Sequence, residues 1–150
     1  MLPSLRQTAR LALRLPMSRS VASVAGDGRL RVGIVGAGRI GQVHAQSLQR
    51  TSAVIHSIQL PARVRFLSNR AEKIARLYGI PNWTNDASEV LGNPEIDAVL
   101  ICSPTDRHAE QIIEAAKHKK HIFCEKPVDL NLQAVNKALQ AVRASLFTTF

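Results

Sequence analysis

Residues 31–41 read Arg31-Val32-Gly33-Ile34-Val35-Gly36-Ala37-Gly38-Arg39-Ile40-Gly41, and this stretch decides the fold. The apolar run Arg31 to Val35, ending in glycines, predicts a buried strand. Arg39 to Arg50 follows with Ile40, Val43, His44 and Leu48 at helical spacing. Between strand and helix lies the pattern Gly-x-Gly-x-x-Gly. Gly36 permits the tight turn, Gly38 lets backbone approach a pyrophosphate, and Gly41 lets helix and strand pack closely. Amide N–H groups at the helix start, where Arg39 and Ile40 stand, then face the phosphates of a dinucleotide, aided by the helix dipole.

Moving outward from this turn, strand and helix signals alternate. A helix is expected from about Asn69 to Tyr78, with Asn69 as its cap beside Glu72. Ala71, Ile74, Ala75 and Tyr78 form its apolar face, and Gly79 stops it. Asp86 with Glu89 repeats the capping arrangement on a short helix ending at Gly92-Asn93-Pro94. Ile96 to Cys102 is the strongest strand signal. Thr105 to Lys119 is the clearest helix, with Ala109, Ile112, Ile113 and Ala116 on one face and Lys117 to Lys120 at the end that favours cations. His121 to Cys124 reads as a further strand. A last helix starts near Asn131, with Asp129 as its cap and Leu132, Val135, Leu139 and Val142 as its apolar face. Strands alternating with helices of this length predict right-handed crossovers and an α/β fold with a parallel sheet.

Composition agrees. The chain has 150 residues, 45% of them apolar and 21% charged, enough for one domain with a buried core and too apolar for a disordered chain. Aromatics make up only 4%, so aliphatic residues must fill that core. No run approaches the ~18 apolar residues that a membrane span needs. Cys102 and Cys124 lack metal-site spacing, so no metal site is expected and buried thiols are the natural reading. The net charge of +9 comes without a basic stripe interleaved with aromatics, so nucleic acid is not an expected partner.

Residues 1–29 stand apart. Arg6, Arg10 and Arg14 recur every fourth residue beside Leu5, Ala9 and Leu13, and no acid precedes Asp27. A basic, amphipathic, acid-free N-terminus has the composition of a transit peptide, which gives a mitochondrial address as the expectation. The folded pattern begins at Leu30, so the nucleotide-binding domain is expected over residues 30–145, with 146–150 as a short tail.

The Gly-rich turn usually has a carboxylate about 20 residues on, bonding the adenosine ribose. Here no Asp or Glu occurs between Asp27 and Glu72, and Arg63, Arg65 and Ser68 occupy the region instead, with Arg70 just beyond. Arginine near that position accommodates a 2′-phosphate, so the expected cofactor is NAD or NADP, with NADP favoured, while a Val54–Ser68 stretch that departs from a functional cofactor pocket stays open beside it.

Taken in order, Gly36–Gly41 with Val43-His44-Ala45, Ile96 through Thr105, His108, and Cys124-Glu125-Lys126-Pro127 resemble the Gfo/Idh/MocA oxidoreductases. Only Leu48 to Ser68 departs from that pattern. The resemblance implies a Rossmann domain, a doubly wound parallel sheet, followed by a second α/β domain that carries the substrate. It implies that Ser103, Pro104, Thr105 and His108 line the nicotinamide side. Glu125, Lys126 and Pro127 would follow the fifth strand, with Lys126 catalytic and reaching both substrate and cofactor. The family's second domain supplies an Asp and His pair for proton abstraction, and this sequence ends at Phe150, about where such a domain begins. The expectation is therefore a dinucleotide-binding module without that second domain, inactive alone. It would meet a small inositol, sugar or polyol only if the second domain is supplied, and full-length relatives would be homo-oligomers. A non-catalytic, nucleotide-binding regulatory or interaction module stays open beside it, as does a truncated gene product.

Overall fold

The computed structural model describes residues 30–51, 54–59 and 68–145. Five parallel strands, β1 (Arg31–Val35), β2 (Val54–Gln59), β3 (Asn82–Thr84), β4 (Ala98–Ile101) and β5 (His121–Cys124), form one sheet in the order β3-β2-β1-β4-β5. Helices α1 (Arg39–Leu48), α2 (Ser68–Leu77), α3 (Ala87–Leu91), α4 (His108–Lys117) and α5 (Leu132–Ser145) alternate with them. The parallel sheet anticipated from the alternation is present, and it is doubly wound, as the resemblance implied. The residues of the proposed leader, Arg63, Arg65 and 146–150 lie outside the described residues.

The strand period of two sorts the core into two layers. Val32, Ile34 and Leu100 pack with Ala45, Ile74 and Ala75 under α1 and α2. Val35, Val99, Ile101 and Ile122 pack with Val90, Ile112, Ala116, Ala138 and Val142 under α3, α4 and α5. Burial on both faces explains why β1 and β4 read as apolar runs, while β5, at the sheet edge, buries Ile122 and leaves Phe123 exposed. At the amino end of the sheet, Arg31 and Asp97 join β1 to the residue before β4. The Asp97 carboxylate accepts from the Arg31 backbone N–H at 2.8 Å and from its guanidinium at 3.1 and 3.2 Å.

Several sequence expectations need correction. Helix α2 starts at Ser68, which puts Asn69 inside the helix rather than at its cap. Asp86 does cap α3, accepting from Ser88 N–H at 2.9 Å, but the Asp86 N–H donates to Thr84 Oγ1, so Glu89 does not close a capping box. Asn131, not Asp129, caps α5: its side chain accepts from Gln133 N–H, while Asp129 accepts from Asn131 N–H. Leu132 and Leu139 are exposed, and α5 instead turns Ala134, Ala138, Ala141 and Val142 inward. These stand at i, i+4, i+7 and i+8, and their small side chains let α5 approach α4 closely. Lys120 is no helix-end cation in solvent. α4 ends at Lys117, Lys119 takes a left-handed conformation at φ 56°, and Lys120 turns inward to donate to the carbonyls of Asn93 and Ile96.

Candidate functional site

Because all five strands are parallel, the segments after β1, β4 and β5 emerge at one edge of the sheet. β1 lies between β2 and β4, so the chain reverses its direction of winding there. In open α/β sheets ligands bind beyond the carboxyl ends of the strands at such a reversal. Backbone bonds stitch the three segments together: Cys102 N–H donates to Val35 O at 2.7 Å, and Glu125 N–H donates to Ile101 O at 2.9 Å.

The three glycines of the first segment have different reasons to be glycine. Gly36 sits at φ 103°, and a Cβ there would lie 2.5 Å from the Cys102 and Ser103 backbone. A Cβ on Gly41 would lie 1.9 Å from Gly36 O. Both are therefore demanded by the fold. Gly38 is not: it has φ −69° and ψ −170°, which any residue adopts, and a Cβ there meets nothing within 4 Å. The open space over Gly38 lies at the amino end of α1, where Gly38, Arg39 and Ile40 are exposed and the first turn carries no acid. First-turn amides have no partner within their own helix and favour an anion. The cradle that a Gly38 side chain would fill thus fits a dinucleotide pyrophosphate.

The second segment runs from Cys102 through Ser103 and Pro104 into a 3-10 turn, Thr105–Arg107, that leads into α4. Pro104 is exposed, Ser103 and Thr105 are half-buried, and Ser103 Oγ donates to Gln111 Oε1. His108 differs from its expected place. Only 2% of it is exposed, its Nε2 lies 2.7 Å from Ser103 O and its Nδ1 2.9 Å from Pro127 O. The imidazole is taken up in tying the second segment to the third, so it does not line a ligand surface. Its position at the head of the apolar stripe His108, Ile112, Ala115 and Ala116 was a readable signal of burial.

The third segment carries Glu125, Lys126 and Pro127, with a cis Lys126–Pro127 peptide. Lys126 and Pro127 are exposed and Glu125 is half-buried. Glu125 Oε1 lies 2.6 Å from His44 Nε2 on α1. That hydrogen bond, outweighing burial and helped by the Lys126 backbone and charge, holds the Glu125 carboxyl below the usual glutamate range. Sequence reasoning took His44 for a plain helix-face residue and missed this contact, because its partner lies 81 residues away. Burial, with the nearby Glu125 charge, pushes both the Cys102 and Cys124 thiols up to about 12, which keeps them protonated and poor nucleophiles.

A glycine cradle at a helix start, at the reversal of a parallel sheet, beside an exposed lysine, is the arrangement the comparisons with known proteins bear on. The family model for Gfo/Idh/MocA proteins, described as an oxidoreductase family with an NAD-binding Rossmann fold, matches residues 30–146. The chain belongs to the Gfo/Idh/MocA family. It is 38% identical over 125 residues to the myo-inositol 2-dehydrogenase of Thermotoga maritima, covering 81% of this chain and 36% of that protein. A crystal structure of a probable dehydrogenase from Thermotoga maritima superposes with a TM-score of 0.74 at 36% identity, covering 81% of this chain and 35% of that one. The scyllo-inositol dehydrogenase of Lactobacillus casei, solved with NAD(H) and scyllo-inositol bound, superposes with a TM-score of 0.68 at 27% identity, covering 78% and 34%. The chain spans about a third of the length of the curated relatives it matches. Its described part is the family's NAD-binding Rossmann module.

Proposed function

We propose that this chain supplies the dinucleotide-binding half of an oxidoreductase acting on inositol, sugar or polyol alcohols, and does not turn over by itself. The observation that carries the reading is the open face of Gly38 at the head of α1, since the fold itself makes no demand for glycine there. Gly36, Gly38 and Gly41, with the amides of Arg39 and Ile40, hold the pyrophosphate. Ser103, Pro104, Thr105, Glu125 and Pro127 would border the nicotinamide, which when bound would supply a hydride acceptor for the alcohol. The Lys126 ammonium, exposed beside it, stabilises negative charge developing on the alcohol oxygen and lowers the pKa of that hydroxyl. The names of the inositol dehydrogenases support the substrate class.

Alcohol oxidation also needs a base within about 3 Å of the hydroxyl proton. Among the described residues the carboxylate nearest Lys126 in sequence, Glu125, is engaged by His44, and Asp129 accepts from Asn131 N–H. That supports a base and substrate walls supplied by a further domain. The test is a purified-chain assay with inositols and sugars at alkaline pH, following NAD(P)H absorbance. No turnover is expected; turnover that disappears in Lys126→Ala would show that this module catalyses unaided. The arginine stripe Arg6, Arg10 and Arg14, with no acid before Asp27, supports a mitochondrial address, and a reporter fused to residues 1–30 that stays diffuse in the cytosol would refute it.

A further inference from the structure

Helix α1 and the Lys126 segment meet through one pair of side chains. His44 stands six residues after Gly38 on the helix whose first turn forms the cradle, and Glu125 directly precedes Lys126. Their contact of 2.6 Å is charge-assisted whenever the imidazole is protonated, and each side chain is 27% exposed, so water does not fully compete for it. The ring is also held edge-on by Phe123, with centroids 5.7 Å apart and planes at 66°. On the other side, the Glu125 backbone is fixed to β4 through Ile101 O. Glu125 is thus held at its main chain by the sheet and at its carboxylate by α1, and the next residue is the exposed lysine.

We propose that His44 is a positioning residue: through Glu125 it fixes Lys126 relative to the dinucleotide cradle, so the cradle helix and the lysine segment act as one unit. The proposal rests on the dinucleotide reading given above. A surface ion pair joining two arbitrary elements would change little. This one joins the two elements whose separation sets how far the ammonium stands from a bound dinucleotide.

Amide hydrogen exchange and NADH binding test it together in the full chain, with His44→Ala, His44→Gln and Glu125→Gln. The Cys102 amide, bonded to Val35 O inside the sheet, reports whether the fold is intact. Loss of the link in His44→Ala should speed exchange of the Glu125 amide and weaken NADH binding, each by about fivefold to tenfold, with Cys102 unchanged. His44→Gln, which keeps a side-chain N–H donor, should recover most of both effects. Unchanged Glu125 exchange in His44→Ala overturns the proposal, as does faster exchange with unchanged NADH affinity. Wild-type protein that binds no NADH would overturn the dinucleotide reading instead, and the exchange pattern would still decide whether His44 holds the Lys126 segment.

Discussion

Gly41 lies so close to Gly36 that a Cβ on Gly41 would stand 1.9 Å from the Gly36 carbonyl oxygen. The first turn of α1 is therefore pressed against the turn that ends β1, with backbone on both sides and no flexible side chain to give way. Gly41→Ala should cost about 2–3 kcal/mol, as forced overpacking does, read as a lowered urea midpoint at an unchanged slope. A midpoint equal to the wild type would mean that the two turns separate freely.

His108 makes a second tie, between the Ser103 and Pro127 carbonyls. Its replacement by Ala leaves whichever carbonyl the ring N–H serves without that donor and opens a cavity in a buried site. The expected loss is about 3 kcal/mol of stability. Because both tied segments border the proposed nicotinamide site, dinucleotide affinity should fall as well, even under conditions where calorimetry shows the variant fully folded. Unchanged affinity in folded His108→Ala protein would remove His108 from any positioning role.

The Arg31–Asp97 pair gives stability a defined dependence on pH. Burial alone would raise the Asp97 carboxyl, but the Arg31 side-chain and backbone hydrogen bonds and charge, with Lys120 behind them, bring it below its ordinary 3.8. A carboxyl lowered in the folded state contributes stability that is fully present above the unfolded value and lost as pH falls through the folded one. The gap in unfolding free energy between wild type and Asp97→Asn should therefore hold constant from neutral pH to about pH 5 and shrink as pH falls below 3.8. A gap that widens on acidification would contradict this.

How much of this was legible in the sequence depended on range and length. β1 and β4 were readable because strands buried on both faces are runs of Val, Ile and Leu, and β5 because Ile122, Phe123 and Cys124 form a short apolar run after the lysines. β2 was not, since His56, Ser57 and Gln59 break its apolar pattern, and β3 has only three residues, too few for any period to show. The glycine turn was legible at Gly36 and Gly41, because each serves a local geometric need of the fold, whereas the role expected of Gly38 depends on a ligand. His44 with Glu125 and Lys120 with Asn93 were not, because contacts between residues 81 and 27 positions apart leave no local trace. Leu132 and Leu139 misled for another reason: hydrophobicity ranks leucine above alanine, while close helix packing selected alanine.

The absence of an acid after β2 leads to a cofactor preference. β2 ends at Gln59, and Arg63 and Arg65 follow it in sequence. NADP should bind at least as tightly as NAD, and the double change Arg63→Ala with Arg65→Ala should weaken NADP by about tenfold while leaving NAD nearly unaffected. NAD binding much more tightly than NADP to the unaltered chain would refute the arginine argument.

The central claim is that the open face of Gly38 is the seat of a dinucleotide pyrophosphate, and calorimetric titration of NAD and NADP into wild type and Gly38→Val measures it directly. A Cβ at Gly38 meets no protein atom within 4 Å, so the valine variant should stay folded, its unfolding free energy lowered by no more than about 1 kcal/mol through the loss of glycine at the helix N-cap. It should nevertheless bind neither cofactor, while the wild type binds. Equal binding by the two proteins, or no binding of either cofactor by the wild type, would contradict the account.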